Sequence, residues 1–563
     1  MKHNASTLGR RAAAAAGVLT LALLGLAPTA HAEDPNYGNI KEDAIGSLTI
    51  HKHLNGDGRP IGRADGTSSD EAPIPAPNPL TRPQRAEGII ESEPFQVTPV
   101  LQTAKGAPVS GVQFTAYPIA GINLKESTDW DKVSALSAPD AIPDAACADP
   151  AKPVLDGYTF EAGMTSPDTN GDGVATISNM PVKAYLVCET KTPGDIVQKA
   201  KPFVVTIPHP NAQGGSYWLY DVHVYPKNEK IEVSKSIQDQ SVNGYGLGSK
   251  VRFPVTSTLP KLDDTSYYKY FQLKDVLDTR LTGATATDIT LDGATLDAAD
   301  YKVATDGQTV TVTFTKEGLA KLKAAPGKKV QAIFEGTVAS IGNGAITNTA
   351  QLISDTTYAA TPPEPSDPPA NPNNPPTTDE VTSNWGDLMV RKVDGDLSAA
   401  GIGLKGAEFQ IFKAKDAYAG TCSKEKEGDA IAVGGKTTFT TDTDGSFTIT
   451  GLFVSDSVDG AERDNKVGAT ERCYVLVETK APAGFVLPSG EDAMTAVKIQ
   501  AGSVLSDNVT IDNFKQRVPG LPLTGANGML ILTASGAALL MIAVGSVLVA
   551  RYRERKRTAE LAV

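Results

Sequence analysis

Short runs that alternate apolar and polar residues fill this chain, and that period of two restricts the fold more than any other feature. They include "SLTIHK" from Ser47, "FVVTIP" from Phe203, "TVTVTF" from Thr309, "FTIT" from Phe447 and "YVLVE" from Tyr474. Alternation sends successive side chains to opposite faces, so each run reads as a strand with one buried face. Gly, Asp, Asn and Pro bound the runs, and long amphipathic helical patterns are scarce. Many short strands punctuated by turn residues predict an all-β chain built from sandwiches.

The two ends differ in kind from this body. Residues 1–32 combine a basic start (Lys2, Arg10, Arg11), an apolar stretch from Ala12 to Leu26 and a small-x-small site at Ala30-His31-Ala32, the pattern of a secretory signal. Met529 to Ala550 is an uncharged, largely apolar run of 22 residues, about 33 Å as a helix and enough to cross a bilayer. The basic segment "RYRERKR" from Arg551 follows as a cytoplasmic stop. Of the formal charge of −13, signal and tail each contribute +3, which leaves −19 on residues 33–524. So acidic an exported segment disfavours nucleic acid or anionic lipid as a partner.

The 492 residues from Glu33 to Thr524 suggest three domains at roughly 150 residues each. An internal repeat supports the division. "PVSGVQFTAY" (108–117) echoes "GLKGAEFQIF" (403–412), "DGVATISNM" (172–180) echoes "DGSFTITGL" (444–452), and "YLVCETKTPG" (185–194) echoes "YVLVETKAPAG" (474–484). The expected organisation is therefore a signal peptide at 1–32, then domains at 33–229, 230–386 and 387–517, and a C-terminal segment at 518–563. The first copy carries a Pro- and Gly-rich insertion near 54–100. The proline run at 361–376 reads as a long loop inside the middle domain. Four cysteines allow three pairings, and two per repeat favours Cys147–Cys188 and Cys422–Cys473 in an oxidising compartment.

Three lysines fall on the wrong face. The apolar parity runs Leu48, Ile50, Lys52; then Ile231, Val233, Lys235, Ile237; then Leu388, Val390, Lys392. A buried unpaired ammonium is costly, so each needs a partner or must lose its charge. Inward-parity acids occur in each domain at Glu189, Asp275 and Glu478, with Asp278 on the other parity, and inward-parity amides close the domains at Asn228, Asn348 and Asn513. A buried salt bridge with a hydrogen-bonded amide is the ordinary reading. The chemical one is that burial frees the amine as a nucleophile and keeps the acid protonated, so that amine and amide condense with loss of ammonia.

Several motifs carry a resemblance. "LPLTG" (Leu521, Pro522, Leu523, Thr524, Gly525), the apolar span and the basic tail together resemble the cell-wall sorting signal of Gram-positive surface proteins, in which a sortase cuts between Thr and Gly. "YVLVETKAPAGF" from Tyr474 resembles the pilin E-box, with Phe485 where Tyr is usual. "WLYDVHVYPK" matches the pilin motif W-x-x-x-V-x-V-Y-P-K at Trp218, Val222, Val224, Tyr225, Pro226 and Lys227. The whole chain resembles the shaft pilins of sortase-assembled fimbriae, close to those of actinomycetes and corynebacteria. The resemblance implies three immunoglobulin-like sandwiches of collagen-adhesin B, A and B type. It implies Lys–Asn isopeptide bonds promoted by an acid: Lys392, Glu478 and Asn513 in the third domain, Lys235, Asp275 and Asn348 in the middle one. Lys52, Glu189 and Asn228 are the counterpart in the first, whose box departs from the pattern after Thr190. It further implies that a sortase joins Thr524 of one subunit to Lys227 of the next. The implied partners are other copies of the chain, pilus and housekeeping sortases, a tip pilin, peptidoglycan and host or bacterial surface receptors.

Other signals carry less. "DTNGDG" (168–173) begins like a calcium loop, but Asn179 stands where the twelfth-position Glu belongs, and its repeat partner "TDTDGS" precedes a strand as a hairpin turn would. His51 and His53 share a face without further ligands nearby in sequence, so no metal or other cofactor is expected. No phosphate loop, nucleotide fingerprint or hydrolase elbow is present, which argues against a turnover enzyme. The competing function is a monomeric wall-anchored adhesin, which would use the sorting signal without needing Lys227.

Overall fold

The computed structural model describes residues 39–55, 106–138, 141–149, 152–210, 218–372, 374–460, 462–502, 509–517 and 526–560. The expected signal peptide, almost all of the first-domain insertion and the pentapeptide Leu521–Gly525 lie outside them. The all-β class expected holds in the main: up to the C-terminal segment the chain forms immunoglobulin-like sandwiches, with the short α-helices Ser127–Leu136 and Lys316–Lys323 among them. The chain divides into two compact units, residues 1–192 with 199–228 and residues 193–198 with 229–563.

In the first unit, strand Ile45–His51 lies between Asp221–Val224, parallel to it, and Val174–Pro181, antiparallel. Its burial alternates, with Leu48 and Ile50 fully buried. A second sheet orders Met164–Thr165, Gln113–Pro118, Lys183–Lys191 and Phe203–Ile207. The Cys147–Cys188 disulfide ties the short helical turn Asp144–Cys147 to strand Lys183–Lys191.

The second unit holds two sandwiches. The middle one packs a five-stranded sheet (Glu232–Lys235, Lys250–Thr258, Lys329–Val338, Leu281–Leu291, Ala294–Thr295) on a four-stranded one (Tyr301–Asp306, Thr309–Phe314, Ser266–Val276, Ala350–Tyr358). In the last, strand Val381–Asp394 pairs with Ser446–Asp456 and runs parallel to Val509–Asn513. The facing sheet contains Glu408–Ala414, Glu471–Lys480 and Met494–Gln500, and Cys422–Cys473 closes a disulfide there. The proline run belongs with the middle sandwich: Ser366 N–H donates to the Lys269 carbonyl (2.9 Å), and the Pro376 carbonyl accepts from Leu352 (2.9 Å).

The expected boundary at 386–387 falls inside the single strand Val381–Asp394. Its first residues pair with Ala345–Asn348, a strand that precedes Ala350–Tyr358 in the middle domain. Burial follows odd residues at Val381, Ser383 and Trp385, then even ones at Gly386, Leu388, Val390 and Lys392. A register shift on either side of Gly386 makes the exchange, because one extra residue flips the parity of everything after it. A side chain at Gly386 would meet the Gln500 carbonyl oxygen at 1.9 Å, so only glycine fits there. The apolar core is correspondingly continuous across both sandwiches, from Val197 to Ile499.

Candidate functional site

Each domain gathers a lysine, an acid and an asparagine in its interior. In the third, the 381–394 strand supplies Lys392, the facing sheet supplies Glu478, and the closing strand supplies Asn513. Lys392 Nζ donates to Glu478 Oε2 (3.0 Å), Asn513 Oδ1 (2.6 Å) and the Asp512 carbonyl (2.9 Å), while Asn513 Nδ2 donates to Glu478 Oε1 (2.7 Å). Lys392 is fully buried, and Glu478 and Asn513 nearly so.

The first domain repeats this design. Lys52 Nζ donates to Glu189 Oε2 (3.0 Å) and Asn228 Nδ2 to Glu189 Oε1 (3.0 Å). The parallel register is the same in both domains: Asn513 faces Asp394, and Asn228 faces Leu54, each two residues beyond the lysine. One difference concerns the acid. Glu189 also accepts from Thr192 Oγ1 (3.1 Å) and the Ala200 N–H (3.0 Å), so four donors converge on it. The hydrogen-bond capacity of that carboxyl group is thereby filled.

The middle domain uses another geometry. Lys235, at the end of strand Glu232–Lys235, donates to Asp275 Oδ2 on the facing sheet, and Asn348 Nδ2 reaches the same oxygen at 3.4 Å. Among the described residues, Asp275 Oδ1 and Asn348 Oδ1 have no hydrogen-bond partner, nor has Asn228 Oδ1. Such orphaned buried acceptors are rare, and a proton on Asp275 would turn one of them into a donor. Asp278 is engaged elsewhere, held by Arg280 at 2.6 Å, which keeps its carboxyl below the usual range.

Burial lowers the basicity of all three lysines against the opposing pull of their acids, and it raises the Asp275 carboxyl against the pull of Lys235. Aromatic rings that sequence reasoning passed over lie beside each lysine. Phe114 lies 5.5 Å from Lys52 Nζ, Phe409 5.9 Å from Lys392, and Phe253 5.0 Å from Lys235. The repeated "VQFTAY" and "AEFQIF" carried the first two as a signal.

The glycines of the Asp-Gly turns were also missed. Lys52 N–H donates to the Gly173 carbonyl (2.7 Å), and Lys392 N–H to that of Gly445 (2.8 Å). Both glycines have positive φ (74° and 84°), and a Cβ would strike the lysine carbonyl oxygen at 2.2 and 2.5 Å. The turns weighed as a calcium loop therefore clamp the lysine backbone. Asn170 Oδ1 is occupied by the N–H groups of Asp172 and Val174. Among the described residues no cluster of three or more His, Cys, Asp or Glu is placed to hold a metal.

Asn228 is fully buried, and Lys227, beside it on strand Lys227–Lys230, is half-buried, although strand alternation alone would turn it to the face opposite Asn228. The cause is its place in a ladder, paired in parallel with His53. Val222 is buried, whereas Trp218, Val224, Tyr225 and Pro226 are half-buried. Helix Ala526–Glu560 contains a stretch, Leu532–Thr558, long and apolar enough to cross a membrane.

These sandwiches and the terminal helix define a multidomain surface protein, and comparison with known proteins gives its kind. Residues 46–229 match the Gram-positive pilin subunit D1 N-terminal domain, 386–513 the prealbumin-like fold domain, and 515–558 the LPXTG cell wall anchor motif. The chain is 64% identical to fimbrial subunit type 2 of Actinomyces naeslundii over the full length of both, and 30% identical to fimbrial subunit type 1 of Actinomyces viscosus over 99% of this chain and all of that one. The full-length major pilin SpaD of Corynebacterium diphtheriae superposes with a TM-score of 0.58 at 28% identity, covering 85% of this chain and 99% of that one. The chain belongs to the family of Gram-positive fimbrial subunits. It is a structural pilin of a surface fimbria anchored to the cell wall.

Proposed function

We propose that this chain is the repeating shaft subunit of a covalent fimbria, polymerised through Lys227 and stapled internally by Lys–Asn bonds. In polymerisation, a sortase breaks the Thr524–Gly525 peptide bond and transfers the threonyl acyl group to the Lys227 amine of a neighbour, leaving Gly525 with a free amine. In stapling, the neutral lysine Nζ attacks the asparagine Cγ, the acid lends a proton to the amide carbonyl, the Cγ–Nδ2 bond breaks, and ammonia leaves. Burial prepares both partners, lowering the amine and raising Asp275. The same Lys-to-Asn offset in the first and third domains supports extending the reaction to Lys52 and Asn228. The four donors on Glu189 favour a slower reaction there.

The observation that carries the reading is the division at Lys227 and Asn228: adjacent residues of one strand, which alternation turns to opposite faces, the amide fully buried and the lysine half-buried. A covalent link between first and last strands leaves an end-to-end tensile path that does not depend on the unfolding barrier of each sandwich. A pilus sortase would then build the polymer, a tip pilin would cap it, a housekeeping sortase would join it to peptidoglycan, and the shaft would present the fimbria to host or bacterial receptors.

The test is a denaturing gel of wall-released material from wild-type and Lys227→Ala cells. A boiling-resistant ladder in the wild type that is lost in the variant is expected. A ladder that persists in the variant moves the acceptor to another lysine, and monomer alone in both favours an anchored adhesin.

A further inference from the structure

Outside the C-terminal helix, eleven large apolar side chains of the described residues are exposed, and five of them gather at one pole of the third domain. Leu397, Ile402, Val486, Leu487 and Phe514 are each 44–57% exposed. Three chain segments bring them together. Val486 N–H donates to the Phe514 carbonyl (2.9 Å), and Asp394 N–H donates to that of Ile402 (3.0 Å). Phe514 lies so close to Gly395 that a Cβ there would meet its ring at 2.8 Å. Lys515, next in the chain, is fixed by Asp394 at 2.8 Å. Clustered exposed apolar surface of this kind marks an interaction site, whereas scattered single residues do not.

The occupant follows from where the chain goes next. Thr524 is seven residue steps beyond Arg517, at this pole, a reach of at most about 25 Å when fully extended. On the polymerisation reading above, on which this inference rests, Thr524 is bonded to Lys227 of a second copy. The Lys227 face of that copy is thereby held within a short tether of the pole. That face is not a bare charge. His223, Tyr225 and Lys227 share one strand parity, and His51 on the adjoining strand stacks on Tyr225 at 4.7 Å and on His223 at 5.1 Å.

We propose that the apolar pole of one subunit docks on the His51–Tyr225 ring platform beside Lys227 of the next, and that this contact stiffens the fimbria. A tether of a few residues sets an effective concentration in the millimolar range. A contact too weak to dimerise free subunits is therefore filled once the covalent bond exists. The sortase supplies connectivity, and the pole supplies orientation.

The experiment uses whole fimbriae. A photo-cross-linking phenylalanine analogue replaces Leu397 or Phe514, and electron micrographs compare wild-type fimbriae with a Leu397→Ser, Ile402→Ser, Phe514→Ala variant. The expected results are cross-links to residues 47–53 or 218–227 of a neighbouring copy, an unchanged ladder, and a persistence length shortened by about twofold or more as the tether alone takes over. Cross-links to another region, or unchanged stiffness in a variant with an intact ladder, would overturn the proposal. So would loss of the ladder from a variant whose ectodomain melts as the wild type does, because the pole would then be read by the sortase. If the variant melts early, the single-site cross-links decide. A ladder that persists in Lys227→Ala removes the polymerisation reading instead, and the cross-links then report which face meets the pole.

Discussion

At the scale of single residues, the lysine–acid pair is a proton ledger with two states of equal charge. Ammonium with carboxylate and amine with carboxylic acid hold the same number of protons, and burial favours the second by lowering Lys235 and raising Asp275. The reactive form therefore needs no proton from solvent. Bond formation in the middle domain should be independent of pH between the two macroscopic titrations of the pair. Below that window the pair gains a proton and the amine becomes ammonium; above it the acid loses its proton and can no longer polarise the amide. Denatured, unlinked chain refolded across a pH series and scored by intact mass for lost ammonia should show this flat-topped profile. A rate that climbs steadily with pH would mean that free amine alone is limiting and that the acid has no role. In the third domain, Glu478→Gln should keep the amide contacts yet retain one more ammonia than the wild type.

At the scale of elements, the arrangement is a matter of parity, offset and approach. Strand Val381–Asp394 buries Lys392 because the register shift beside Gly386 places even residues inward, and the parallel strand Val509–Asn513 brings Asn513 alongside. The Asp-Gly turn then fixes the lysine backbone from the other side. Gly445→Ala should push the Lys392 carbonyl away and strain a left-handed turn, costing about 1–3 kcal/mol. Its signature is a mixture of linked and unlinked third domain by intact mass, which a surface glycine such as Gly420 would not produce. The staple itself closes a separation of 121 residues. By the chain-entropy argument used for disulfides, a cross-link of that span is worth roughly 5 kcal/mol.

At the scale of the whole molecule, the middle and third sandwiches behave as one body within the second unit. Besides the shared strand, Tyr245 of the middle domain donates its hydroxyl to Asp464 of the third, and Arg463 Nη1 donates to the Ile237 carbonyl (2.9 Å). Arg472, fully buried, meets Asp464 at 2.8 Å among the rings of Tyr245, Tyr418, Phe453 and Tyr474. Asp464→Ala strands the buried guanidinium without its counter-ion; because the Asp464 side chain is 25% exposed, the loss falls at the lower end of the buried-pair range, about 3 kcal/mol. Calorimetry of the secreted ectodomain should show one transition from this unit in the wild type and two separated ones in the variant. A single unshifted transition would mean that the shared strand alone couples the domains.

The strands, the repeat, the C-terminal anchor and the inward lysines, acids and amides could be read from the chain alone, because all of these are local: period two, turn residues, motif spacing. Lys52, Lys235 and Lys392 were legible because a charge on an apolar parity contradicts its surroundings. What the tertiary structure decided is non-local. The strand that crosses the 386–387 boundary depends on a register shift that no periodicity predicts, since a shift is a relation to a partner strand. The rings beneath the lysines and the glycines against their backbones have meaning only once separate elements pack. The half-burial of Lys227 comes from a ladder partner, His53, far away in sequence. The apolar pole around Phe514 was invisible for the same reason: its residues come from three segments, each unremarkable alone, that only the closed sandwich places side by side.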